Sequence, residues 1–314
     1  MAALTPGELA ALSTAITRSV ITSFQNPDPM LNWGKDFVRK QVLNSESEKV
    51  FWLLDWAKLS ERLSFYDDTA RKDIKAQYMD VKMRHFSDAV QIPSLEANLD
   101  TQKAGWLQKA KDIGTTFVKH LTEMIIEYVK DGTTNLTWDG KYYFDGDHPT
   151  GYGSGVYDNL LAGDISQTTL IAAKVAMSRF QNNLGEEMGL IPNKLLITVN
   201  DEAKARILLN STYIPYSSVG EVNPVQNIVQ DMIVEARNIS TGDTNYDDWY
   251  VFCTNFTEKP FIHLGLKGYD TPMITNNMAL INQSQWNKIY EWKAEISEAI
   301  ACTFPFLGIK TVGA

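Results

Sequence analysis

Cysteine is scarce: the 314 residues include two, Cys253 and Cys302, far apart and each in apolar surroundings. That excludes a disulfide framework and leaves two buried, reduced thiols as the expectation. Histidine is nearly as rare, with four. His85, His120 and His263 have no nucleophile and orienting third group beside them, the parts from which acyl-transfer sites are built. No apolar run approaches the ~20 residues that span a bilayer. Met1 to Phe24 has no basic start followed by an apolar block, so a soluble product with neither a leader nor a membrane partner is expected. Without such a leader, the five Asn-x-Ser/Thr triplets at Asn135, Asn210, Asn238, Asn255 and Asn282 are read as chance matches. Also missing are a phosphate-cradling Gly-x-x-x-x-Gly-Lys-Ser/Thr loop, a dinucleotide fingerprint after a strand and a cysteine pair at zinc spacing, so no cofactor is expected.

An excess of positive charge is absent as well. Against 38 acidic side chains stand 29 basic ones, for a net charge of -9. A protein that grips nucleic acid replaces counterions along the phosphates with Lys and Arg, so specific DNA or RNA binding is disfavoured. What the chain does have is core-forming material, 44% hydrophobic and 11% aromatic residues, enough for one large domain or two closely joined ones.

Leu4 to Phe24 reads as an amphipathic helix opened by Thr5-Pro6-Gly7-Glu8, with Leu9, Leu12, Ile16, Val20 and Ile21 on one side. Gln25-Asn26-Pro27-Asp28-Pro29 stops it. The segment fits an arm reaching onto a neighbour, or equally an end docked on its own core. Asn44 to Pro93 mixes charges with Phe51, Trp52, Trp56, Phe65, Tyr66, Tyr78 and Phe86 in no single period. Large rings without a stripe fit either burial against another chain or ordinary core.

The clearest helix runs from about Asp100 to Lys130. Trp106, Ala110, Ile113, Phe117, Leu121, Met124 and Tyr128 recur at steps of three and four and form one stripe. Asp100 and Thr101 offer caps, Asp131-Gly132 closes the end, and ~30 residues at 1.5 Å each give a rod of roughly 45 Å. Leu136 to Phe144 then reads as two short aromatic strands around the Asp139-Gly140 turn. Ser166 caps a second helix bearing Leu170, Ala173, Met177, Phe180 and Leu184, with Gly185 near its end. Leu195 to Val199 is a buried-strand pattern, and Asp201 to Leu209 a short helix. Met232–Ala236, Trp249–Cys253, Phe261–Leu266, Met273–Asn276 and the run from Trp286 to Phe306 read as strands. The fold class is therefore α+β, a long helix with antiparallel sheet in two interleaved lobes.

One cluster has the side-chain types of a reactive centre: Asp139, Asp145, Asp147 and His148. Carboxylates and imidazole ligate metals, and a metal-dependent hydrolase would need them within about 2 to 2.5 Å of one ion. Against this, Asp139 belongs to a turn, and Asp147-His148-Pro149 is an ordinary loop sequence without i, i+4 ligand spacing.

Where the long helix meets the aromatic turn the sequence resembles the major head subunit family of Mu-like phages. The resemblance passes through Asp112-Ile113-Gly114 and Val129-Lys130-Asp131-Gly132. It continues into Asp139-Gly140-Lys141-Tyr142-Tyr143-Phe144-Asp145-Gly146-Asp147-His148-Pro149, similar to that family's Asp-Gly-x-x-Phe-Phe-x-x-x-His-Pro, with Tyr143 for the first Phe. Gly189 to Val199 and Tyr290 to Phe304 resemble its later strands, so the likeness is good from about residue 80 onward and loose before it.

The resemblance implies a capsid fold of the Hong-Kong-97 type and a structural subunit, not an enzyme, that joins with itself into hexamers and pentamers of an icosahedral virion head. The shell would be assembled in the host cytoplasm and would enclose double-stranded DNA, with scaffolding, portal and decoration proteins as partners. It implies an N-terminal arm at 1–44, an extended loop at 45–92, and a peripheral domain at 93–164 and 281–314 with a spine helix at about 100–130. An axial domain at 165–280 would place the loop Ser211 to Pro224 near a capsomer axis. Phe51, Trp52, Trp56, Phe65, Tyr66, Tyr78, Phe86, Tyr213 and Tyr216 are then the expected subunit contacts. Some relatives crosslink Lys to Asn between subunits. Lys49, Lys58, Lys72, Lys75 and Lys82 lie in the proposed loop, but exposed Lys is common in such a segment and indicates no crosslink. The N-terminal scaffolding region of other relatives is not seen here, which implies a separate scaffold or prior cleavage.

Overall fold

The computed structural model describes residues 6–27, 32–53, 76–93, 103–150, 154–182, 184–213, 221–240, 247–276 and 289–313. In chain order the first half comprises α1 (Pro6–Gln25), β1 (Val38–Leu43), β2 (Ser47–Leu53), β3 (Ala76–Lys82), β4 (Arg84–Pro93), α2 (Lys103–Lys130), β5 (His148–Pro149), β6 (Val156–Tyr157) and β7 (Leu160–Ala162). The second half adds α3 (Gln167–Ser178), β8 (Lys194–Thr198), α4 (Glu202–Asn210), β9 (Asp231–Glu235), β10 (Trp249–Phe252), β11 (Phe261–Leu266), β12 (Met273–Asn276), β13 (Ile289–Cys302) and β14 (Gly308–Val312).

Two five-stranded sheets carry the fold. In the first, β13 is central: antiparallel β4 runs along Ile289–Glu298, β12 along Trp292–Glu295 and β11 along Glu298–Cys302, with β1 parallel to β11. The second has the order β7-β14-β10-β8-β9, parallel at its two outer pairings and antiparallel inside. Among the described residues β2 and β3 pair with each other alone, as an antiparallel ribbon.

The 28 residues of α2 make a rod of about 42 Å. Its first half carries the expected stripe: Ala110, Ile113 and Phe117 pack with Leu12, Ile16 and Val20 of α1 and with Val90, Ile92 and Trp292 of the first sheet. Of the two readings of the first helix, the structure has the docked one, secured where Trp292 Nε1 donates to Ser13 Oγ at 3.0 Å. Gly114 is what lets the helices meet, because a Cβ there would lie 2.4 Å from the Val20 carbonyl oxygen. Ile21 does not share the buried face; it is 38% exposed.

The second half of α2 is buried on more than the expected stripe. Leu121, Met124, Ile125, Ile126 and Val129 enter an aromatic core with Tyr143 and Phe144 of the turn that follows and with Tyr250, Phe252 and Phe261 of the two sheets. Each fully buried large side chain there stabilises the fold by roughly 1.5–3 kcal/mol relative to exposure. A third core lies under α3 and α4, where Leu170, Ala173, Met177, Ala205 and Leu209 cover Leu195, Ile197, Trp249 and Val251 of the second sheet.

Several expected boundaries move. The Asp100 and Thr101 caps lie outside the described residues. Ser166 does cap α3, accepting from Thr169 N while Thr169 Oγ1 bonds back to Ser166 N, but α3 ends at Ser178 and leaves Phe180 and Leu184 in the following turn. The expected hairpin at Leu136–Phe144 shrinks to one bridge, Leu136 to Tyr142, because side chains take the hydrogen bonds that strands would have used. The run from Trp286 resolves into the 14-residue β13, a short 3-10 turn at Pro305–Leu307 and β14, a strand the hydrophobic pattern did not show.

Candidate functional site

The acidic cluster folds into a lock, not a metal centre. At the turn after α2, Gly140 takes φ 81, the left-handed region open to glycine. Asp139 Oδ1 accepts from Thr137 Oγ1 and from Lys141 N, the latter at 3.0 Å, so the carboxylate closes its own turn. Its second oxygen lies 2.7 Å from His148 Nδ1, with both side chains at most 2% exposed. The imidazole stacks on Tyr157 at 5.0 Å and 16°. Burial pushes the Asp139 carboxyl up, but the hydrogen bonds from His148, Thr137 and Lys141 outweigh it and hold it below its ordinary 3.8.

The other two carboxylates turn elsewhere. Asp147 takes the exposed Lys141 Nζ at 2.5 Å, and Asp145 accepts from Gly146 N at 2.7 Å. The convergence that a hydrolase would need is therefore not formed, and among the described residues no group of three or more His, Cys, Asp or Glu is placed to hold a metal ion.

Sequence reasoning missed the residue that fastens this lock to the sheet. Buried Asn159 donates through Nδ2 to the carbonyls of Tyr143 at 2.8 Å, Pro305 at 2.9 Å and Gly308 at 3.2 Å, while its Oδ1 accepts from Asp145 N at 2.9 Å. An Asn in a loop carries no signal of that role, since its partners are up to 149 positions away.

The expected contact residues divide. Tyr78 on β3 is 52% exposed and Tyr213 is 60% exposed, bridged to Val222, itself 71% exposed. These are outward-facing rings and aliphatic groups of the kind that interfaces bury. Phe86 instead turns inward: its ring meets His120 at a centroid distance of 3.9 Å, and Arg84 lies over it at 5.3 Å. Phe51 and Trp52 lie on β2, opposite Tyr78 and Gln77 in the ribbon register. Their side chains, and Trp56, Phe65, Tyr66 and Tyr216, lie outside the described residues. Of the lysines in that stretch, Lys82 is exposed at the end of β3.

Elsewhere the buried chemistry is structural. Lys310 and Asp248, both 2% exposed, pair at 2.7 Å inside the second sheet. Cys253 and Cys302 are both buried and free, and burial pushes the Cys302 thiol up to about 12. No helix among the described residues is long and apolar enough to cross a membrane.

Residues 15–163 match the model of a family described as the Mu-like prophage major head subunit gpT. The fold is that of solved phage shells. The procapsid protein of bacteriophage JBD30 superposes with a TM-score of 0.55 at 15% identity, covering 98% of this chain and 76% of that one. The mature capsid protein of bacteriophage PhiM1 gives 0.56 at 8% identity, covering 90% and 86%. A phage-related protein from Bordetella bronchiseptica gives 0.52 at 13% identity, covering 93% and 95%. Comparison with curated proteins gives no match. Just under half of the chain, residues 15–163, is thus similar to the Mu-like major head subunit, and nearly its whole length has the fold of phage capsid proteins.

Proposed function

We propose that this chain is the self-assembling shell subunit of a phage head. Copies would close into hexamers and pentamers around double-stranded DNA, with scaffolding, portal and decoration proteins as partners during and after assembly in the host cytoplasm. In this reading residues 45–92 are an extended loop laid across a neighbouring subunit, and α2 is the spine of a peripheral domain made of 93–164 and 281–314. Residues 165–280 form an axial domain whose loop from Ser211 to Pro224 approaches the capsomer axis, and 1–44 act as the N-terminal arm, with α1 as its anchored part.

The observation that carries this reading is the β2–β3 ribbon. Among the described residues it pairs with no third strand, and it holds Tyr78 outward. The base of the ribbon is anchored where Val81 packs with Ile262, Leu264 and Ala299, whereas the Tyr78 ring stands out from it, an aromatic of the kind that a neighbouring molecule covers. The net charge of -9 fits a shell that must not grip its DNA across the whole inner surface.

The test is the mass of the purified full-length protein in solution, with negative-stain imaging, across concentration and salt. Capsomer-sized rings or closed shells are expected, and Tyr78→Asp should shift the population toward free subunits while leaving the circular dichroism spectrum unchanged. A compact monomer under every condition would overturn self-assembly as an intrinsic property of the chain.

A further inference from the structure

Two of the four histidines, far apart in sequence, meet at Glu298 of β13, and a third bonds the neighbouring Ser297. His85 of β4 bonds Ser297 Oγ at 2.7 Å, and His263 Nε2 of β11 lies 2.7 Å from Glu298 Oε2. His120 of α2 faces the other Glu298 oxygen, with Nε2 and Oε1 3.6 Å apart. Both of these atoms are buried, and neither has a hydrogen-bond partner among the described residues. Glu298 is 2% exposed, whereas the His85 side chain is 55% exposed.

We propose that His120 and Glu298, with His263 holding the carboxylate, form a proton-operated latch between the middle of α2 and the first sheet, closed when His120 is neutral and released when it is charged. Neutral His120 serves as an apolar wedge, its ring packed on Phe86 of β4 at 3.9 Å. A proton there puts a cation on a side chain that is 20% exposed and otherwise surrounded by packing. Of the buried Glu298 carboxylate, Oε2 is engaged by His263, and Oε1 lies 3.6 Å from His120 Nε2, beyond hydrogen-bond reach.

The other charges facing the ring are largely committed. Glu123 of α2 lies 4.0 Å from its Nδ1 but is taken by Arg237 at 3.3 Å, and Glu127 of α2 pairs with Arg84 of β4 at 3.0 Å. Burial is the largest influence on His120 and holds it below 6.5, aided by Arg84 and opposed by Glu298, Glu123 and Glu127. The unfolded chain therefore takes up this proton first. Stability from the latch is present above about 6.5 and is lost as pH falls through the lower folded value.

This latch belongs to the subunit fold and does not depend on the assembly reading. Hydrogen–deuterium exchange of the full-length chain at about pH 7.5 and about pH 5.5, corrected for intrinsic rates, tests it. Peptides covering residues 117–127 should lose protection in acid by roughly tenfold, the factor by which a protonation ratio changes over a single step of pH. Peptides covering 106–113, clamped by α1, should hold theirs. His120→Gln should abolish the acid effect and Glu298→Gln should deepen it, because the carboxylate favours the proton.

An unchanged acid response in His120→Gln would overturn the proposal. Should that variant fail to fold, imidazole C2 exchange by mass spectrometry on the natural chain reads His120 directly. A midpoint below 6.5 supports the latch, and one at or above it overturns the idea.

Discussion

Replacing Gly114 by alanine sets two effects of known size against each other. On an isolated helix the change gains about 0.8–1.0 kcal/mol of propensity. Here the new methyl would sit 2.4 Å from Val20 O and 2.8 Å from Ser23 Cβ, both belonging to α1. The first obstacle is backbone, so relief requires α1 to move by roughly 1 Å, the difference between 2.4 Å and the 3.4 Å at which ordinary contact begins. That movement disturbs buried Leu12, Ile16 and Val20 and strains the Trp292–Ser13 hydrogen bond.

Overpacking of this kind costs about 1–3 kcal/mol, so a net loss of up to about 2 kcal/mol is expected once the propensity gain is subtracted. Gly105, on the same helix, has nothing within 4 Å of its added Cβ, and Gly105→Ala should stabilise by up to ~1 kcal/mol. The assay is the urea midpoint of both variants with hydrogen exchange over residues 6–25, which should rise in Gly114→Ala alone. Equal stabilisation by the two substitutions, with α1 protection intact, would refute the close-approach argument.

Three further outcomes follow from the buried polar groups. Asp139→Ala should destabilise by about 1–3 kcal/mol by stranding His148 and Thr137. Because the Asp139 carboxyl is held below 3.8, its contribution is present above that pH and lost as pH falls through the lower folded value, so the difference in unfolding free energy between variant and natural chain should narrow in acid. Asp248→Asn or Lys310→Met alone should cost about 3–5 kcal/mol, whereas the double change to apolar residues should recover much of it, read by equilibrium unfolding as a double-mutant cycle. Cys302, with its thiol raised to about 12 and no solvent exposure, should resist a thiol-alkylating reagent in the native protein and react on addition of denaturant, as mass spectrometry of its peptide would show.

The sequence announced what repeats locally and hid what is paired at a distance. The stripe from Ala110 to Met124 identified α2, since each position reports on one face of one helix. It missed Val118, Ile125 and Val129 because the rod is buried on two sides, and a second face blurs the period that the first creates. β14 escaped because its Lys310 and Thr311 read as polar surface. They are 2% and 1% exposed, and the lysine is tolerable only beside Asp248, 62 positions earlier. The strands expected at Leu136–Phe144 failed for the opposite reason, with the Thr137 hydroxyl donating to Lys141 O and the Asp139 carboxylate accepting from Lys141 N, local bonds that displaced a longer ladder.

The Asp139–His148 contact was visible as a candidate cluster, but composition could not distinguish a ligand set from a turn clasp. The meeting of His120, His263 and Glu298 left no trace in spacing at all. Phe86, taken for a contact ring, shows the limit of composition from the other side: an aromatic among charges is as good a lid for an imidazole as it is a foot on a neighbour.

The placement of β13 and β14 also bears on the timing of synthesis. One is the central strand of the first sheet and the other lies second from the edge in the second, between β7 and β10. Neither sheet can close until residues 289–312 have left the ribosome. A growing chain therefore has its helices early and its finished surfaces late.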